Sequence, residues 1–127
     1  SIMQRITDDI KTGRLQQIYL LYGEEAYLVR QYRDRLLGAL LGGGDEMNVN
    51  RFEGKGVSVP EIIDMAETLP FFSDRRVIIL ENTELFKSGG EKLAGYLKEP
   101  AESSSFIFVE REVDKRSGLY KTVKKLG

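Results

Sequence analysis

Runs of apolar residues alternate with amphipathic segments along the whole chain, and this pattern predicts alternating strands and helices. Short, nearly continuous apolar runs are typical of parallel strands that are buried on both faces. We predict three such strands, at Ile18–Tyr22, Arg75–Leu80 and Phe106–Val109, and we expect the first of them to be central. A fourth segment, Met47–Glu53, alternates between apolar and polar positions, which is typical of a half-exposed strand near the edge of a sheet.

Apolar residues spaced three and four apart predict helices between these strands. Ser58 is expected to cap one helix, because Pro60 lies in its first turn and Glu61 follows three positions after the cap. That helix ends at Pro70, and the others are predicted at Met3–Thr12, Glu24–Leu41, Glu91–Lys98 and from Lys121 onward. Strands that alternate with helices in this way indicate an α/β domain of three layers with a mostly parallel sheet.

The turn after the first predicted strand lacks the residues of a nucleotide-binding loop. A phosphate-binding loop closes on Gly-Lys-Ser or Gly-Lys-Thr, whose lysine and hydroxyl contact phosphate and magnesium. Here positions 23–28 read Gly-Glu-Glu-Ala-Tyr-Leu, so carboxylates occupy the places where phosphate would lie. We interpret Glu24 and Glu25 as first-turn residues that favour the positive end of a helix dipole, with a metal site or an acid–base pair as the alternative.

Two other strand ends carry acidic residues at positions used by known catalytic sites. Glu81 and Asn82 follow the second buried strand, where the acidic pair of an ATPase would position magnesium and water. A receiver domain needs a phospho-accepting aspartate at a strand end, but the third buried strand ends in Glu110 and Arg111. These strand ends therefore leave two alternative functional classes, a nucleotide-binding NTPase or kinase and a receiver-like signalling domain.

The composition of the 127 residues removes several classes of catalytic site. The chain has no cysteine and no histidine, so thiolate chemistry, the commonest general base and the commonest metal ligand are all absent. Its net charge is −1, which does not indicate general affinity for nucleic acids or membranes. No apolar run approaches the length of a membrane span, and the polar N-terminus has no signal-peptide pattern, so we expect a cytoplasmic protein.

The segment 69–74, which reads Leu-Pro-Phe-Phe-Ser-Asp, is the strongest indication of a binding surface. Adjacent side chains in an extended turn point in different directions, so both phenylalanines are hard to bury in one core. We expect at least one of them to contact solvent or a partner, with the alternative that both fold back under the sheet. Burying one phenylalanine in a partner's pocket is worth roughly 2–3 kcal/mol, so two of them could dominate the affinity of an interface.

The segment from Asp114 to Lys125 is locally basic, because five of its twelve residues are lysine or arginine. Such a helix could contact DNA phosphates, although a solvated helix face is the commoner explanation. The candidate DNA-facing residues are Lys115, Arg116, Lys121, Lys124 and Lys125.

Several of these stretches occur together, and in the same order, in one known family. The matching stretches are Tyr19–Leu28, Ala66–Arg76, Phe106–Val109 and Asp114–Lys121, and together they extend over essentially the whole chain. The chain resembles the N-terminal part of the delta subunit of bacterial DNA polymerase III, a subunit of the clamp loader that opens the sliding clamp.

This resemblance implies an AAA+ type domain, related to the P-loop NTPases, whose degenerate P-loop does not bind nucleotide. Members of the family insert a hydrophobic tip into a pocket of the ring-shaped clamp, and by position that tip is Leu69, Phe71 and Phe72. The lid and C-terminal collar domains of the family would lie outside residues 1–127.

The same resemblance implies a protein without a catalytic, metal or cofactor site of its own. Its implied partners are the sliding clamp, the other clamp-loader subunits and, within the assembled loader, DNA. ATP would enter only through partner subunits, and a nucleotidyltransferase activity would belong to the whole polymerase.

Overall fold

Strands and helices alternate along residues 1–126, which are the residues that the computed structural model describes. The strands are β1 (Ile18–Tyr22), β2 (Val49–Glu53), β3 (Arg76–Glu81) and β4 (Ser104–Glu110). The helices are α1 (Ile2–Thr12), α2 (Ala26–Leu41), α3 (Val59–Ala66), α4 (Glu91–Tyr96) and α5 (Gly118–Leu126). A 3-10 turn at Glu46–Asn48 leads directly into β2.

The strands form one parallel sheet in the order β1-β4-β3-β2. The central strands β3 and β4 are the most buried, and all seven residues of β4 are buried. Because the strands are parallel, their first residues lie at one edge of the sheet and their last residues lie at the opposite edge. We call these the amino edge and the carboxyl edge.

Side chains of the central strand β3 alternate between two hydrophobic layers, as the pleat of a strand requires. Val77 and Ile79 pack in the layer that contains apolar residues of α1 and α2. Ile78 and Leu80 pack in the opposite layer, with apolar residues of α3, α4 and α5. The prediction of a three-layer α/β domain with a parallel sheet is therefore confirmed.

The position of β1 in the sheet differs from the prediction. Its continuous apolar run predicted a central strand, but β1 is at the end of the strand order and pairs with β4. Tyr19 and Leu21 face the layer of α1 and α2, whereas Leu20 and Tyr22 pack against the other layer. Helices cover both faces of β1, so both faces need apolar side chains whatever the place of the strand in the sheet. The half-exposed strand β2 lies at the opposite end, as predicted.

The helix boundaries depend on local capping contacts. Ser58 caps α3 as predicted, because its Oγ accepts a hydrogen bond of 3.2 Å from the amide of Glu61. The last helix begins at Gly118, three residues before the predicted start at Lys121, while Gly127 lies outside the described residues. Within residues 1–126, the helices are all too short or too polar to cross a membrane.

Candidate functional site

The loop between α3 and β3, residues 67–75, carries three large apolar side chains at the amino edge, and we call it the tip loop. The exposed fractions are 78% for Leu69, 58% for Phe71 and 91% for Phe72. Within residues 67–74 no side chain is buried, and only Pro70 is half-buried. The expectation that at least one phenylalanine reaches solvent is confirmed, and the alternative that both fold back under the sheet is wrong.

The two phenylalanines of the tip loop pack against each other while remaining exposed. Their ring centroids are 4.3 Å apart with an interplanar angle of 73°, which is an edge-to-face arrangement. Phe72 has a φ of 53°, in the left-handed region that costs a non-glycine residue about 1–2 kcal/mol. Because the Phe72 side chain is almost fully exposed, its own burial does not compensate for this cost.

Two buried polar side chains contact the backbone of the tip loop. Asn48 donates through Nδ2 to the carbonyl of Phe71 (2.8 Å) and accepts through Oδ1 from the amide of the same residue (2.6 Å). Arg76 donates through Nε to the carbonyl of Thr68 and through Nη2 to the carbonyl of Leu69, both at 2.9 Å. Sequence analysis missed both residues, although a polar residue near the start of each of two predicted strands was a signal that could have indicated them.

At the carboxyl edge, the turn between β1 and α2 carries the two glutamates that replace a phosphate-binding loop. They were expected in the first helical turn, but they precede α2, which begins at Ala26, and the amide of Ala26 donates to the carbonyl of Glu24 (2.9 Å). Glu25 occupies the N-cap position, yet its side chain makes no capping hydrogen bond. Both carboxylates are exposed and lie near the start of α2 without capping it.

Glu81 ends β3 at the carboxyl edge, where an ATPase would carry a magnesium-binding acid, and it is ion-paired. Its Oε2 lies 2.6 Å from Nη1 of Arg33, and its Oε1 lies 3.6 Å from Nη1 of Arg51. The side chains of Arg33 and Glu81 are only 14% and 15% exposed, so water screens this pair weakly. The carboxylate is therefore engaged by guanidinium groups rather than open to a metal or a water.

Glu110 ends β4 next to this pair and binds the loop that follows β3. It is 3% exposed and accepts hydrogen bonds from the amide and the hydroxyl of Thr83, both at 3.1 Å, and from the amide of Glu84 at 3.2 Å. Burial raises the pKa of the Glu110 carboxyl, and the hydrogen bonds from Glu84 and Thr83 oppose this only in part. From sequence, Glu110 was predicted to follow the third buried strand and was weighed only as the strand-end residue of a receiver-like domain, whereas the structure includes it in β4.

A shallow cavity of about 290 Å³ opens at the carboxyl edge between the ends of the strands. Four glutamates and two basic residues line it, so its walls carry more negative than positive charge. The lining residues are Glu24, Asn82, Glu84, Lys87, Glu110, Arg111 and Glu112. In the described residues 1–126, no group of three or more acidic side chains is arranged to hold a metal ion.

The candidate DNA-facing residues do not share one helix, which corrects the prediction. Lys115 and Arg116 precede α5, and Arg116 pairs with Asp114 at 3.0 Å. The exposed face of α5 carries three lysines that match the remaining candidates, Lys121, Lys124 and Lys125.

The parallel sheet with helices on both faces is the α/β architecture of AAA+-type clamp-loader proteins. The chain superposes on the DNA clamp loader delta protein of Bacillus subtilis with a TM-score of 0.83 and 25% identity, covering 98% of this chain and 40% of that chain. A gamma subunit-related protein of DNA polymerase III from Thermotoga maritima gives a TM-score of 0.64 over 99% of this chain and 44% of that one. The identity with that protein is 15%, so the similarity concerns the fold alone.

A family model described as DNA polymerase III, delta subunit, matches residues 19–127. The chain therefore belongs to the DNA polymerase III delta subunit family, and the resemblance inferred from its sequence is confirmed. The DNA polymerase III subunit delta of Bacillus subtilis strain 168 is 28% identical over 129 residues, which covers 91% of this chain and 37% of that protein. The chain thus spans about two fifths of the length of these Bacillus subtilis relatives.

Proposed function

We propose that the chain binds the ring-shaped sliding clamp through Leu69, Phe71 and Phe72 and thereby favours opening of the ring. Membership in the delta subunit family is consistent with a role in DNA replication. The observation that supports the tip loop as the binding element is the exposure of three large apolar side chains within four consecutive positions. Contiguous exposed apolar surface of this kind marks protein interaction sites.

Opening the ring through these residues requires binding energy but no chemical step. Each phenylalanine that enters an apolar pocket contributes roughly 2–3 kcal/mol. A ligand shifts a conformational equilibrium by its difference in affinity for the two states. A tip that binds the open ring more tightly than the closed ring therefore shifts the ring toward opening.

We also propose that this domain hydrolyses no ATP itself and that ATP acts through other clamp-loader subunits. The turn at positions 23–28 lacks the lysine and hydroxyl of a phosphate-binding loop, which supports a degenerate P-loop. The ion-paired state of Glu81 and the excess of glutamates around the neighbouring cavity are further support, because both disfavour a bound triphosphate. Nucleotidyl transfer then belongs to the assembled polymerase, and the proposed place of action is the cytoplasm.

Calorimetric titration of the purified protein into the Bacillus subtilis sliding clamp tests the proposal. The double variant Phe71→Ala/Phe72→Ala is expected to lose affinity by tenfold or more, which corresponds to about 1.4 kcal/mol or more. Tyr27→Ala is a matched control, because Tyr27 is another aromatic side chain that is 73% exposed but lies outside the tip loop. Wild-type affinity in the double variant would move the contact to another surface, and equal losses in both variants would indicate non-specific binding.

The exposed lysines of α5 support a second contact, between the assembled loader and DNA. Lys121, Lys124 and Lys125 lie together on the outer face of this helix and could contact phosphates. We expect only weak binding of DNA by the protein alone, since its net charge is −1. A steep dependence of its DNA affinity on salt would contradict this expectation.

A further inference from the structure

The tip loop has no hydrophobic support of its own, so its shape must depend on other contacts. No side chain in residues 67–74 is buried, and the largest apolar ones face solvent. Fixing the backbone of each residue costs about 1–2 kcal/mol in conformational entropy. A loop of this length with exposed side chains is expected to populate many conformations unless its backbone is fixed from within the domain.

Asn48 provides one such constraint through a pair of hydrogen bonds to a single residue. Its side-chain amide bonds both the amide and the carbonyl of Phe71, at 2.6 and 2.8 Å, in the way that a neighbouring strand would. Asn48 is 4% exposed, so water competes little for these bonds. The 3-10 turn before β2 places Asn48 at the amino edge, beside the loop that precedes β3.

Arg76 provides the second constraint and is an unusual buried cation. It is 6% exposed, and among the ion pairs of residues 1–126 none includes it. Its guanidinium instead donates to the carbonyls of Thr68 and Leu69, just beyond the C-terminus of α3, and to Oδ1 of Asn50 at 2.6 Å. The negative end of the helix dipole favours a cation at this position. The planar fork of arginine holds its donors in a fixed geometry that matches two successive carbonyls, whereas a lysine offers one compact, freely rotating ammonium group.

The two constraints act on the residues that carry the apolar side chains. Arg76 fixes the backbone of Leu69, and Asn48 fixes the backbone of Phe71, immediately before the left-handed residue Phe72. Strained backbone of this kind persists where the surrounding structure over-determines it, and it occurs often at ligand-binding sites.

We propose that Asn48 and Arg76 are positioning residues that hold the tip loop in its binding conformation before the partner arrives. This inference rests on the proposed function, in which Leu69, Phe71 and Phe72 enter the sliding clamp. A loop that populates the competent conformation for only a fraction of the time binds with an affinity reduced by that fraction. Loss of positioning therefore lowers the association rate constant, whereas loss of an anchoring side chain raises the dissociation rate constant.

The test uses Asn48→Ala, Arg76→Lys and the isosteric Asn48→Asp, with surface plasmon resonance on the Bacillus subtilis sliding clamp. In Asn48→Asp the side chain keeps its volume, but a carboxylate oxygen faces the carbonyl of Phe71. The matched control is Thr83→Ala, because Thr83 is also 4% exposed and its hydroxyl also makes two hydrogen bonds, to Glu110 and to the amide of Leu85. These bonds lie at the opposite edge of the sheet.

We expect the Asn48 and Arg76 variants to associate about tenfold more slowly with the clamp, while their dissociation rate constants stay within about twofold of the wild type. Hydrogen exchange of the Phe71 amide is expected to accelerate in Asn48→Ala, which loses the acceptor of that amide, and less in Asn48→Asp, whose carboxylate still accepts from it. This readout needs no clamp. Thr83→Ala is expected to keep wild-type binding kinetics and wild-type exchange at Phe71, even where its melting temperature falls by as much as that of the Asn48 variants.

Wild-type association rates in both the Asn48 and the Arg76 variants would overturn the positioning role. An effect confined to the dissociation rate would overturn it too, because that result indicates a lost contact with the clamp. The variant Phe71→Ala/Phe72→Ala, measured in the same experiment, separates the two proposals. If it loses affinity while the Asn48 and Arg76 variants do not, the proposed function stands without positioning, and if it binds like the wild type, both proposals fail.

Discussion

At the carboxyl edge of the sheet Glu81 binds guanidinium groups and Glu110 binds the polar loop after β3, whereas at the amino edge two buried polar side chains bind the backbone of the apolar tip loop. Arg33 and Glu81 form a mostly buried ion pair at the carboxyl edge. Asn48 and Arg76 hold main-chain groups at the amino edge. Three of the large apolar side chains that are exposed to solvent lie on the tip loop, at the amino edge.

This difference places the proposed binding surface at the edge opposite the one that serves most α/β proteins. Ligands of open α/β sheets usually bind at the carboxyl ends of the strands, where loops and helix N-termini offer free donors. Here the two least exposed carboxylates at the strand ends, those of Glu81 and Glu110, already bind guanidinium and amide donors of the domain, so they stabilise the fold. The apolar surface that a partner could still bury lies at the amino edge, where it faces water.

The largest effect that tests this contrast is expected from a substitution at the carboxyl edge that lowers the free energy of unfolding. Glu81→Gln is expected to lower the free energy of unfolding by about 2 kcal/mol, because it removes the mostly buried charged partner of Arg33 and leaves only Asp34, whose side chain is 63% exposed. Urea denaturation measures this loss. The affinity of the same variant for the sliding clamp is expected to stay at the wild-type value, since the substitution is at the edge opposite the tip loop.

A surface ion pair provides the control for this substitution. Glu46 pairs with Arg51 at 3.6 Å, but its side chain is 66% exposed, so Glu46→Gln is expected to change the free energy of unfolding by less than about 0.5 kcal/mol. A stable Glu81→Gln variant that had lost clamp affinity would contradict the division between the two edges.

A smaller effect is expected within the tip loop, where two substitutions at Phe72 separate the backbone from the side chain. Both Phe72→Ala and Phe72→Gly remove the apolar anchor, but glycine adopts a φ of 53° without steric cost. After the greater entropy of glycine in the unfolded chain is included, the glycine variant is expected to be more stable than the alanine variant by about 1 kcal/mol. Thermal or urea unfolding of the two variants measures this difference.

The same pair of substitutions at Phe71 reverses the expected order. Phe71 does not have a positive φ, so the alanine variant is expected to be at least as stable as the glycine variant. If the alanine variant were at least as stable as the glycine variant at both positions, the left-handed conformation of Phe72 would not strain the loop.

The fold was largely predictable from sequence because it depends on local periodicity. Apolar runs marked the buried strands, and the alternation at Met47–Glu53 marked the half-exposed strand β2. The position of β1 in the strand order could not be predicted in the same way. An apolar run indicates that helices cover both faces of the strand, but it does not indicate which strands lie beside it in the sheet. The order of strands depends on contacts between distant segments, as in the pairing of Ile18 with Phe106.

The apolar residues of the tip loop were predictable for a local reason, whereas their supports were not. Two adjacent phenylalanines in an extended turn cannot easily share one core, although the preceding helix ends at Ala66 rather than at Pro70 as predicted. The contact of Asn48 with Phe71 joins residues 23 positions apart, and no periodic pattern connects them. A buried side chain that binds backbone is also hard to recognise from sequence, because its partner is a main-chain atom that every residue has.

The smallest expected effect is a difference in pH dependence between the two edges. Burial raises the pKa of Glu110 above its ordinary value, so the folded protein binds more protons than the unfolded chain in the pH range between these two pKa values. The stability that Glu110 contributes is present below the ordinary pKa and is lost as the pH rises through the raised one. Relative to Glu110→Gln, the wild-type free energy of unfolding is therefore expected to fall with rising pH in that range.

Urea denaturation of the wild type and of Glu110→Gln at several pH values from about 4 to 8 measures this difference. Glu112 supplies a control of opposite sign, because the hydrogen bond from Lys87 lowers the pKa of this exposed carboxyl. Its stabilising contribution is lost as the pH falls, so comparison with Glu112→Gln is expected to give the reverse slope. Clamp affinity is expected to follow neither trend, since Leu69, Phe71 and Phe72 do not titrate. A clamp affinity that changed with pH in step with Glu110 would mean that the carboxyl edge controls the tip loop, and the two edges would then have to be treated as one coupled site.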